Sequence, residues 1–534
     1  KHILYGVSYT STTDNKSVRN LAICALDGSD AQELTHSGKS ISNARWSADG
    51  KRIVFLMGGQ MWSASISEKG GKWKLSGLKQ LSDIPGGISE FKLSPDQKKV
   101  MYISYIKSAV KSPSDCYADL DKATAYTTDD LMYRHWDHTV MEIPHTYTAD
   151  FAFNGSVTPA SSKDIPDTAH VAMLTELEKF EIKEYPMPAI GDDDILVKVE
   201  GAGVCGTDVH EWKGDPFGII PVTLGHEGTG EIIALGKNIK MDTAGNPIKV
   251  GDKIVTSVIS CGDCYVCRNQ PANTNLCDKQ GVFGLIPHSD AQPLTGWFAT
   301  HLLIRGKGST YFVVNDLDLQ ERMLLELACV CVHALKRANS TGLINFNSKV
   351  LVQGLGPVGL VMISVLRAAG INHIIAIDGT PMRLEAAKKL GAKTVINFKE
   401  VTTLEARVKL VKSVANGVGA DFAFQCTGAP AAAKDIFEYI RRGGGLCEMG
   451  FFVNNGEYTV NPHFAMCNKE INLVGSWDYS ADDYPTTMAF LRQAREMNIP
   501  VCDLITHEFS LDQLNEAMET NVAQKGIKIC YVAK

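Results

Sequence analysis

Two hydrophobic patterns divide the sequence near residue 160. Up to that point apolar and polar residues alternate in a background of Ser, Thr, Asp and Gly, which is typical of short strands joined by tight turns. The segment 41–55 recurs as 88–102, at an offset of 47 residues. A strand, a turn and a second strand repeated at this period predict β-propeller blades, with a small β-sandwich as the alternative. Because two blades do not close a ring, we expect a partial propeller over residues 1–160.

Beyond residue 165 the hydrophobic pattern changes twice. Short alternating runs predict a β-rich domain over residues 165–335. From Lys349 strands alternate with helices, one opening at Pro357 and the next ending on Gly391, which predicts a parallel, doubly wound α/β sheet over residues 336–475. Residues 476–534 are mixed, and we expect them to pack back onto the β-rich domain. The fold class is therefore multidomain, with partial propeller blades followed by β-rich and α/β parts.

Composition and charge narrow the class of protein. With 534 residues the chain predicts three or four globular domains, and a net charge of −7 with no long basic run argues against a nucleic-acid partner. The apolar stretch 350–370 contains four glycines and a proline, so we expect a strand, a phosphate-binding turn and a buried helix there, not a membrane span. Most of the fourteen cysteines are scattered, which favours a reduced, cytoplasmic protein. Because Lys1 stands where Met is usual, we expect a processed, truncated or incomplete chain.

Two short motifs in the β-rich part contain residues that are suitable ligands for a metal ion. They are Cys-Gly-Thr-Asp-Val-His at 205–210 and Gly-His-Glu at 225–227. A thiolate, an imidazole and a carboxylate make a three-ligand zinc site that leaves a position for water or an alcohol oxygen, which the metal would polarise. The candidate ligands are Cys205, His226 and either Glu227 or Glu326, and the sequence leaves this choice open.

The neighbours of these ligands predict proton handling. We expect Asp208 to accept a hydrogen bond from the His226 ring and so fix its tautomer. Thr207 and His210 are placed to pass the alcohol proton outward, a role that suits the near-neutral pKa of histidine. Residues 215–218 are interpreted as a connecting loop, with lining of the substrate cleft as the alternative.

A second metal-binding pattern is a cluster of four cysteines. Two Cys-x-x-Cys steps bring three sulfurs around one point and a loop returns the fourth, which predicts a closed, structural zinc site. An iron–sulfur cluster or a redox dithiol is the alternative. The four residues are Cys261, Cys264, Cys267 and Cys277.

A glycine-rich turn follows the first predicted strand of the α/β part and opens its first helix. This context predicts a dinucleotide whose pyrophosphate lies at the helix N-terminus. Asp378 ends the next strand, where an acid binds the ribose 2′-hydroxyl and repels a 2′-phosphate, so NAD is favoured over NADP. Arg383 is expected to line the adenosine pocket, with a surface-facing helix residue as the alternative. The turn residues are Gly354, Gly356, Pro357, Val358 and Gly359.

On these motifs, residues from about 169 to 534 resemble the zinc-containing medium-chain dehydrogenases of the alcohol, sorbitol and threonine group. The segments 471–477 and 504–507 are similar to the polyol and threonine branch. The resemblance implies a GroES-like catalytic domain, a Rossmann domain, and hydride transfer between NAD(H) and a polyol or secondary alcohol. It also implies Glu326 at the position of the third zinc ligand, Thr427 in the segment that lines the cofactor, and a homodimer or homotetramer.

The sequence departs from the family pattern in three places. Leu327 follows Glu326 where the family has Pro, which puts the ligand geometry in doubt. The last cysteine, Cys277, comes two residues later than usual and implies a longer zinc loop. Gln425 stands where an acid often precedes the cofactor-lining segment. None of these changes removes a chemical group that the reaction needs.

The first 160 residues resemble a different family. The blade motifs Trp-Ser-Ala-Asp-Gly-Lys-Arg and Ser-Pro-Asp, together with 131–138, are similar to the propeller of dipeptidyl-peptidase and prolyl-oligopeptidase proteins. The sequence has no Gly-x-Ser-x-Gly elbow, so peptidase activity is not implied. The competing hypothesis is a propeller-based interaction protein, or an inactive peptidase fragment, fused to a non-catalytic dehydrogenase scaffold. We favour a fused or chimeric chain, joined near residues 157–162, whose activity lies after residue 165.

Overall fold

Contacts along the chain separate two units, residues 1–163 and residues 164–534. The computed structural model describes residues 2–11, 16–36, 38–84, 86–107, 134–135, 138–139, 142–153, 165–305 and 308–533. Within these ranges no helix is long and apolar enough to cross a membrane. Most of the 131–138 segment and all of 157–162, the proposed junction, lie outside the described residues.

The first unit consists of antiparallel strands in small sheets. Its strands are β1 (His2–Ser11), β2 (Lys16–Ala25), β3 (Gln32–Glu33), β4 (Ile41–Trp46), β5 (Arg52–Met57), β6 (Gln60–Lys69), β7 (Lys72–Gln80), β8 (Glu90–Leu93), β9 (Lys99–Lys107), β10 (Arg134–His135), β11 (His138–Thr139) and β12 (Glu142–Asp150). The sheet orders are β1-β2-β3, β4-β5-β6-β7, β12-β9-β8 and β10-β11. Such sheets do not establish a propeller, which stays a prediction.

The internal repeat of the first unit has the same turn geometry in both copies. Strands β4 and β5 pair antiparallel, as do β8 and β9. Ser47 and Ser94 each donate their hydroxyl to the aspartate two residues later, at 2.6 Å in both cases. The next residue is left-handed, with φ +66 at Gly50 and +55 at Gln97. The repeated Ser-x-Asp sequence therefore sets a repeated hairpin turn through side-chain hydrogen bonding to the turn.

The second unit combines antiparallel and parallel strands with helices. Its first strands are β13 (Thr168–Glu176), β14 (Lys179–Pro186), β15 (Ile195–Gly203), β16 (Val222–Thr223), β17 (Glu227–Leu235), β18 (Lys253–Thr256), β19 (His301–Ile304) and β20 (Tyr311–Val313). Its later strands are β21 (Lys349–Gln353), β22 (His373–Asp378), β23 (Thr394–Asn397), β24 (Ala420–Gln425), β25 (Ile440–Glu448), β26 (Asn472–Gly475), β27 (Ile505–Phe509) and β28 (Lys528–Val532). Its α-helices are α1 (Gly206–Gly214), α2 (Tyr265–Asn269), α3 (Leu319–Asn339), α4 (Pro357–Ala368), α5 (Pro381–Leu390), α6 (Leu404–Val414), α7 (Pro430–Tyr439), α8 (Tyr484–Glu496) and α9 (Leu514–Val522).

Strands from both ends of the second unit form its β-rich part. The main sheet has the order β20-β18-β17-β15-β28-β27, with β19 also paired to β15, and β14-β13-β16 form a second sheet. Gly203, at the end of β15, pairs with Glu227 on one side and with Cys530 on the other. The last strand of the chain therefore lies beside the motifs at 205–210 and 225–227.

The α/β part confirms the predicted parallel, doubly wound sheet. Its strand order is β23-β22-β21-β24-β25-β26, and each neighbouring pair is parallel. Numbered from β21, this is the order 3-2-1-4-5-6 of dinucleotide-binding folds, with the switch point between β21 and β24. Apolar residues cover both faces of the sheet in two separate clusters. Ligands of such sheets bind outside the carboxyl ends of the strands, at the switch point.

Candidate metal and cofactor sites

The ligand atoms of Cys205, His226 and Glu227 lie within 4.8 Å of one another. Cys205 is the N-cap of α1, and Glu227 begins β17. One oxygen of Glu227, Oε1, is buried and has no hydrogen-bond partner among the described residues. A buried carboxylate oxygen without a partner is costly, and a cation shared with the thiolate and the imidazole would satisfy it. The donor set is therefore chemically suited to zinc.

Asp208 is fully buried and contacts the segments that supply the donor set. Its carboxylate accepts the backbone N–H of Cys205 at 2.9 Å and the backbone N–H of Gly225 at 3.1 Å. Its Oδ1 lies 3.4 Å from Nδ1 of His226, which is an ion-pair distance, longer than a short hydrogen bond. One carboxylate thus ties together the two segments that supply the ligands, in addition to facing the imidazole.

Lys528 is a member of the site that the sequence did not suggest. Its ammonium is ion-paired with Oε2 of Glu227, and the side chains of Lys528 and Glu227 are each only 1% exposed. The ammonium also donates to the Val204 carbonyl at 3.0 Å. Burial lowers the pKa of Lys528, but the charges of Glu227, Cys205 and Cys530 together outweigh burial and hold that pKa above its ordinary value. A Cβ at Gly203 would lie 2.0 Å from Oε2 of Glu227. Glycine at 203 therefore makes room for the buried pair.

Glu326 lies near the three donors without joining them. It is on the second turn of α3, a helix fixed at its start by a capping box between Asp318 and Glu321. No described cluster of donor atoms within 4.8 Å includes it. Burial raises the pKa of Glu326 to about 8, and the charge of His226 partly opposes this rise. This geometry favours Glu227 over Glu326 in the donor set.

The two candidate proton carriers lie on α1 beside the donors. The thiol of Cys205 donates to the hydroxyl of Thr207 at 3.7 Å. His210 is half-buried, and burial lowers its pKa. Its ring meets the ring of Phe452 edge to face, with centroids 5.4 Å apart. Thr207 is thus next to the donor set, and His210 lies one helical turn further on.

The four cysteines converge on one point. The sulfurs of Cys261, Cys264, Cys267 and Cys277 all lie within 4.8 Å of one another. The Cys261 and Cys267 sulfurs are 3.9 Å apart. With Zn–S bonds of about 2.3 Å, the edge of a tetrahedron is roughly 3.8 Å. The sulfur set therefore fits a closed tetrahedral zinc site.

The glycine-rich turn lies at the switch point of the parallel sheet. Gly354 has φ +87, and a Cβ there would lie 2.8 Å from the Thr427 side chain, which follows β24. A Cβ at Gly359 would lie 1.9 Å from the Gly354 carbonyl oxygen. A Cβ at Gly356 would meet no atom of the described chain within 4 Å. Two of the glycines thus serve packing, whereas Gly356 leaves open space at the N-terminus of α4.

The residues after β22 and β24 complete this edge of the sheet. Asp378 accepts three backbone N–H groups at 2.7–2.8 Å, those of Leu355, Gly379 and Thr380. Nε of Arg383 is buried without a partner among the described residues.

The side chain of Gln425, at the end of β24, accepts a hydrogen bond from the N–H of Thr427 and donates one to the Thr427 carbonyl, both at 2.6 Å. A side-chain amide can both donate and accept a hydrogen bond, whereas a carboxylate can only accept. Gln425 therefore stabilises the turn that contains Thr427 in a way that an acid at this position could not. Pro357 and Val358 form the first turn of α4, and Val358 packs against the core.

Comparison with known proteins places these features in a family. Two family models match the second unit, the alcohol dehydrogenase GroES-like domain over residues 191–313 and the zinc-binding dehydrogenase domain over residues 357–493. A sorbitol dehydrogenase from Bacillus subtilis is 32% identical over 360 residues, which are 66% of this chain and 94% of the relative. A D-xylulose reductase A from Aspergillus oryzae is 32% identical over 362 residues, 67% of this chain and 94% of the relative.

A solved structure gives the same result. An alcohol dehydrogenase from Thermotoga maritima is similar at a TM-score of 0.63 and 29% identity, over 69% of this chain and 100% of that chain. Neither this structural match nor the two family models support the resemblance of residues 1–160 to a propeller. The matches to full-length relatives and to both domain models show that the chain belongs to the zinc-dependent medium-chain alcohol and polyol dehydrogenase family.

Proposed function

We propose that the protein transfers a hydride between NAD(H) and the carbon of a polyol or secondary alcohol. The observation that carries this proposal is the donor set of Cys205, His226 and Glu227, with its unpartnered carboxylate oxygen. The relatives named sorbitol dehydrogenase and D-xylulose reductase support a polyol as the substrate class. Zinc held by these residues would act as a Lewis acid that makes an alcohol oxygen more acidic.

Residues around the donor set transfer the alcohol proton and keep the three donor side chains in position. Thr207 accepts the alcohol proton at its hydroxyl oxygen and at the same time releases its own hydroxyl proton outward. His210 takes up a proton on this path and returns it to solvent, which its lowered pKa favours because the ring is neutral at pH 7. Lys528 neutralises Glu227, so the donor set does not accumulate the full charge of a thiolate and a carboxylate. Asp208 keeps the ligand segments and the His226 ring in place.

The turn at 354–359 is proposed to bind NAD. Gly356 lets a pyrophosphate approach the N-terminus of α4, where the first backbone N–H groups of a helix have no partner within the helix. A carboxylate offers about four acceptor positions, and three of those of Asp378 are used by backbone N–H groups. The remaining position would take a ribose hydroxyl and repel a 2′-phosphate, which favours NAD over NADP. Arg383, through its unpartnered Nε, would contact the adenosine.

The remaining assignments follow from this function. We assign residues 165–335 to a catalytic domain, 336–475 to an NAD-binding domain, and 476–534 to a return onto the catalytic domain. Residues 1–160 are assigned to a propeller fragment outside the reaction. We also propose that the protein is a cytoplasmic homodimer or homotetramer that assembles through the dehydrogenase part.

Replacement of one ligand tests this function. The Cys205→Ser variant is expected to lose NADH formation with polyols and secondary alcohols while it retains NAD binding, because Cys205 is outside the glycine-rich turn. Cys467→Ser, at an exposed cysteine, is the matched control and should form NADH like the parent chain. Undiminished turnover in Cys205→Ser would refute the assigned metal site.

A further inference from the structure

The aromatic ring of Phe452 lies against the first turn of α1. It meets the His210 ring edge to face, with centroids 5.4 Å apart and 72° between the ring planes. A Cβ at Gly206 would lie 3.2 Å from Cζ of Phe452, so glycine at this position makes room for the ring. Residues 206 and 210 are four apart and therefore share one face of the helix. Phe452 thus contacts the face of α1 that carries the proposed proton carrier.

The His210 ring has no polar partner in the part of the chain that the structure describes. Neither ring nitrogen forms a hydrogen bond or an ion pair with a described residue. In a histidine the hydrogen bond made by one ring nitrogen usually sets the state of the other, and His210 lacks such a bond. The aromatic contact with Phe452 is therefore the described interaction that can orient this ring.

The backbone that leads to Phe452 is in close contact with the turn that contains Thr427. A Cβ at Gly450, two residues before Phe452, would lie 2.5–2.8 Å from three backbone atoms of Thr427. The N–H of Gly450 also donates to Oε1 of Glu448 at 2.9 Å. The segment that carries Phe452 is thus held where it leaves β25, beside the turn proposed to line the cofactor.

The surroundings of His210 are apolar on the side of Phe452. Burial lowers the pKa of His210, and no charged group is a cause of this shift. The segment 450–456 contains no titratable side chain, and the charged residues next to His210 on α1 are Asp208, Glu211 and Lys213. A ring that excludes water from one side of an imidazole disfavours its charged form. His210 is nevertheless only half-buried, so a proton can still pass to solvent.

We propose that Phe452 is a positioning residue that holds the His210 ring in the orientation for proton transfer. The inference rests on the proposed function, because it takes His210 as the proton carrier. Phe452 acts through His210 and takes no part in the bond changes. An apolar side chain orients the ring without adding a second titrating group to the proton path.

An NMR titration of the full chain, with labelled histidine, tests the contact without any reaction. The Cε1–H signal of His210 is the one that His210→Gln lacks. Its pKa should lie below the ordinary value of about 6.5 and rise toward that value in Phe452→Ala, because the imidazole gains water. Phe452→Tyr, which keeps the ring, should leave the pKa unchanged, and so should Phe346→Ala, at an exposed phenylalanine. An unchanged pKa in Phe452→Ala would overturn the proposal.

Kinetics separate a positioning role from a merely structural one. With the zinc-loaded chain and an alcohol that it oxidises, Phe452→Ala should lower kcat about tenfold and leave KM within about twofold, because the carrier acts after the substrate has bound. In the His210→Gln background the same change should have almost no further effect, since a residue that acts through His210 has nothing left to position. Equal losses of kcat in both backgrounds would overturn the proposal. If Phe452→Ala does not fold, Phe452→Leu takes its place in both experiments.

The two measurements keep this proposal separate from the proposed function. A parent chain that binds zinc and NAD but oxidises no alcohol would refute the proposed reaction, while a raised pKa of His210 in Phe452→Ala would still support the orienting contact. Turnover by the parent chain, together with the same His210 pKa in Phe452→Ala, would refute the positioning role alone.

Discussion

At the scale of single residues, the chemistry depends on partners that are distant in sequence. The sequence identifies Cys205 and His226 because they stand in short motifs, and it leaves Glu227 and Glu326 as alternatives for the third ligand. Lys528 is 301 residues from Glu227 and was missed. The signal available was a lone lysine between apolar residues of a strand, in Gly-Ile-Lys-Ile-Cys. Such a lysine is buried only if an acid meets it, but the sequence does not say which acid.

Replacement of Lys528 tests the buried pair. Lys528→Met removes the charge at similar length and leaves Glu227 buried with its charge unpaired, so the free energy of unfolding should fall by about 3–5 kcal/mol. Urea denaturation of the metal-free chain measures this change. The matched variant is Lys525→Met, three residues away and exposed, and it should change stability by less than about 0.5 kcal/mol. Equal stability of the two variants would contradict the pair.

Replacement of His210 tests the proton path. Burial lowers the pKa of His210, so the acid limb of the pH–rate profile should lie below the ordinary histidine value of about 6.5. The ring is a proton carrier only when it is neutral, and kcat should therefore fall as the pH drops through this limb. His210→Gln should lose the limb and reduce kcat on the order of 100-fold at pH 7. A profile that keeps its shape in the variant would exclude this role.

At the scale of elements, the glycine pattern predicted a phosphate-binding turn, but the three glycines have different tasks. Gly354 and Gly359 allow the turn and α4 to pack, whereas Gly356 faces open space. All three positions are glycine, so the sequence does not distinguish their roles. The roles differ because the direction in which a Cβ would point differs at each position. The same limit applies to Gln425, whose two bonds to Thr427 depend on where the turns after β21 and β24 meet.

Two alanine variants separate packing from cofactor binding. Gly356→Ala should leave thermal stability unchanged and weaken NAD binding roughly tenfold or more, because the new methyl group lies where the pyrophosphate approaches. Gly359→Ala should lower the free energy of unfolding by about 1–3 kcal/mol or more, because its Cβ would lie 1.9 Å from the Gly354 backbone oxygen. Calorimetric melting and NAD titration measure both quantities. Tight NAD binding by Gly356→Ala would contradict the assigned turn.

At the scale of the whole molecule, the second unit was more predictable than the first. Strand–helix alternation after Lys349 correctly predicts a parallel sheet because right-handed crossovers leave few topologies. In the first unit the repeated strand, turn and strand predict hairpins, which both copies form. Assembly of blades into a propeller depends on packing between sheets, which a local repeat does not encode. The propeller over residues 1–160 therefore stays a prediction.

Truncation tests whether the reaction belongs to the second unit alone. Every candidate ligand, proton carrier and cofactor residue lies within residues 164–534, which form one unit by their contacts. A chain of residues 164–534 should therefore keep kcat/KM within about twofold of the full chain. Steady-state kinetics with a substrate of the full chain measures this. Loss of activity in a truncated chain that is folded and binds zinc would show that the first unit takes part.

The most direct test of the central claim is NADH formation by the full chain before and after removal of zinc. The chain would be assayed with NAD and a panel of polyols and secondary alcohols, then stripped with a chelator, and then supplied with zinc again. The donor set of Cys205, His226 and Glu227 predicts NADH formation that is lost on chelation and recovered with zinc. NADH formation that is unaffected by complete removal of the metal, or a zinc-loaded chain that binds no NAD, would contradict the account.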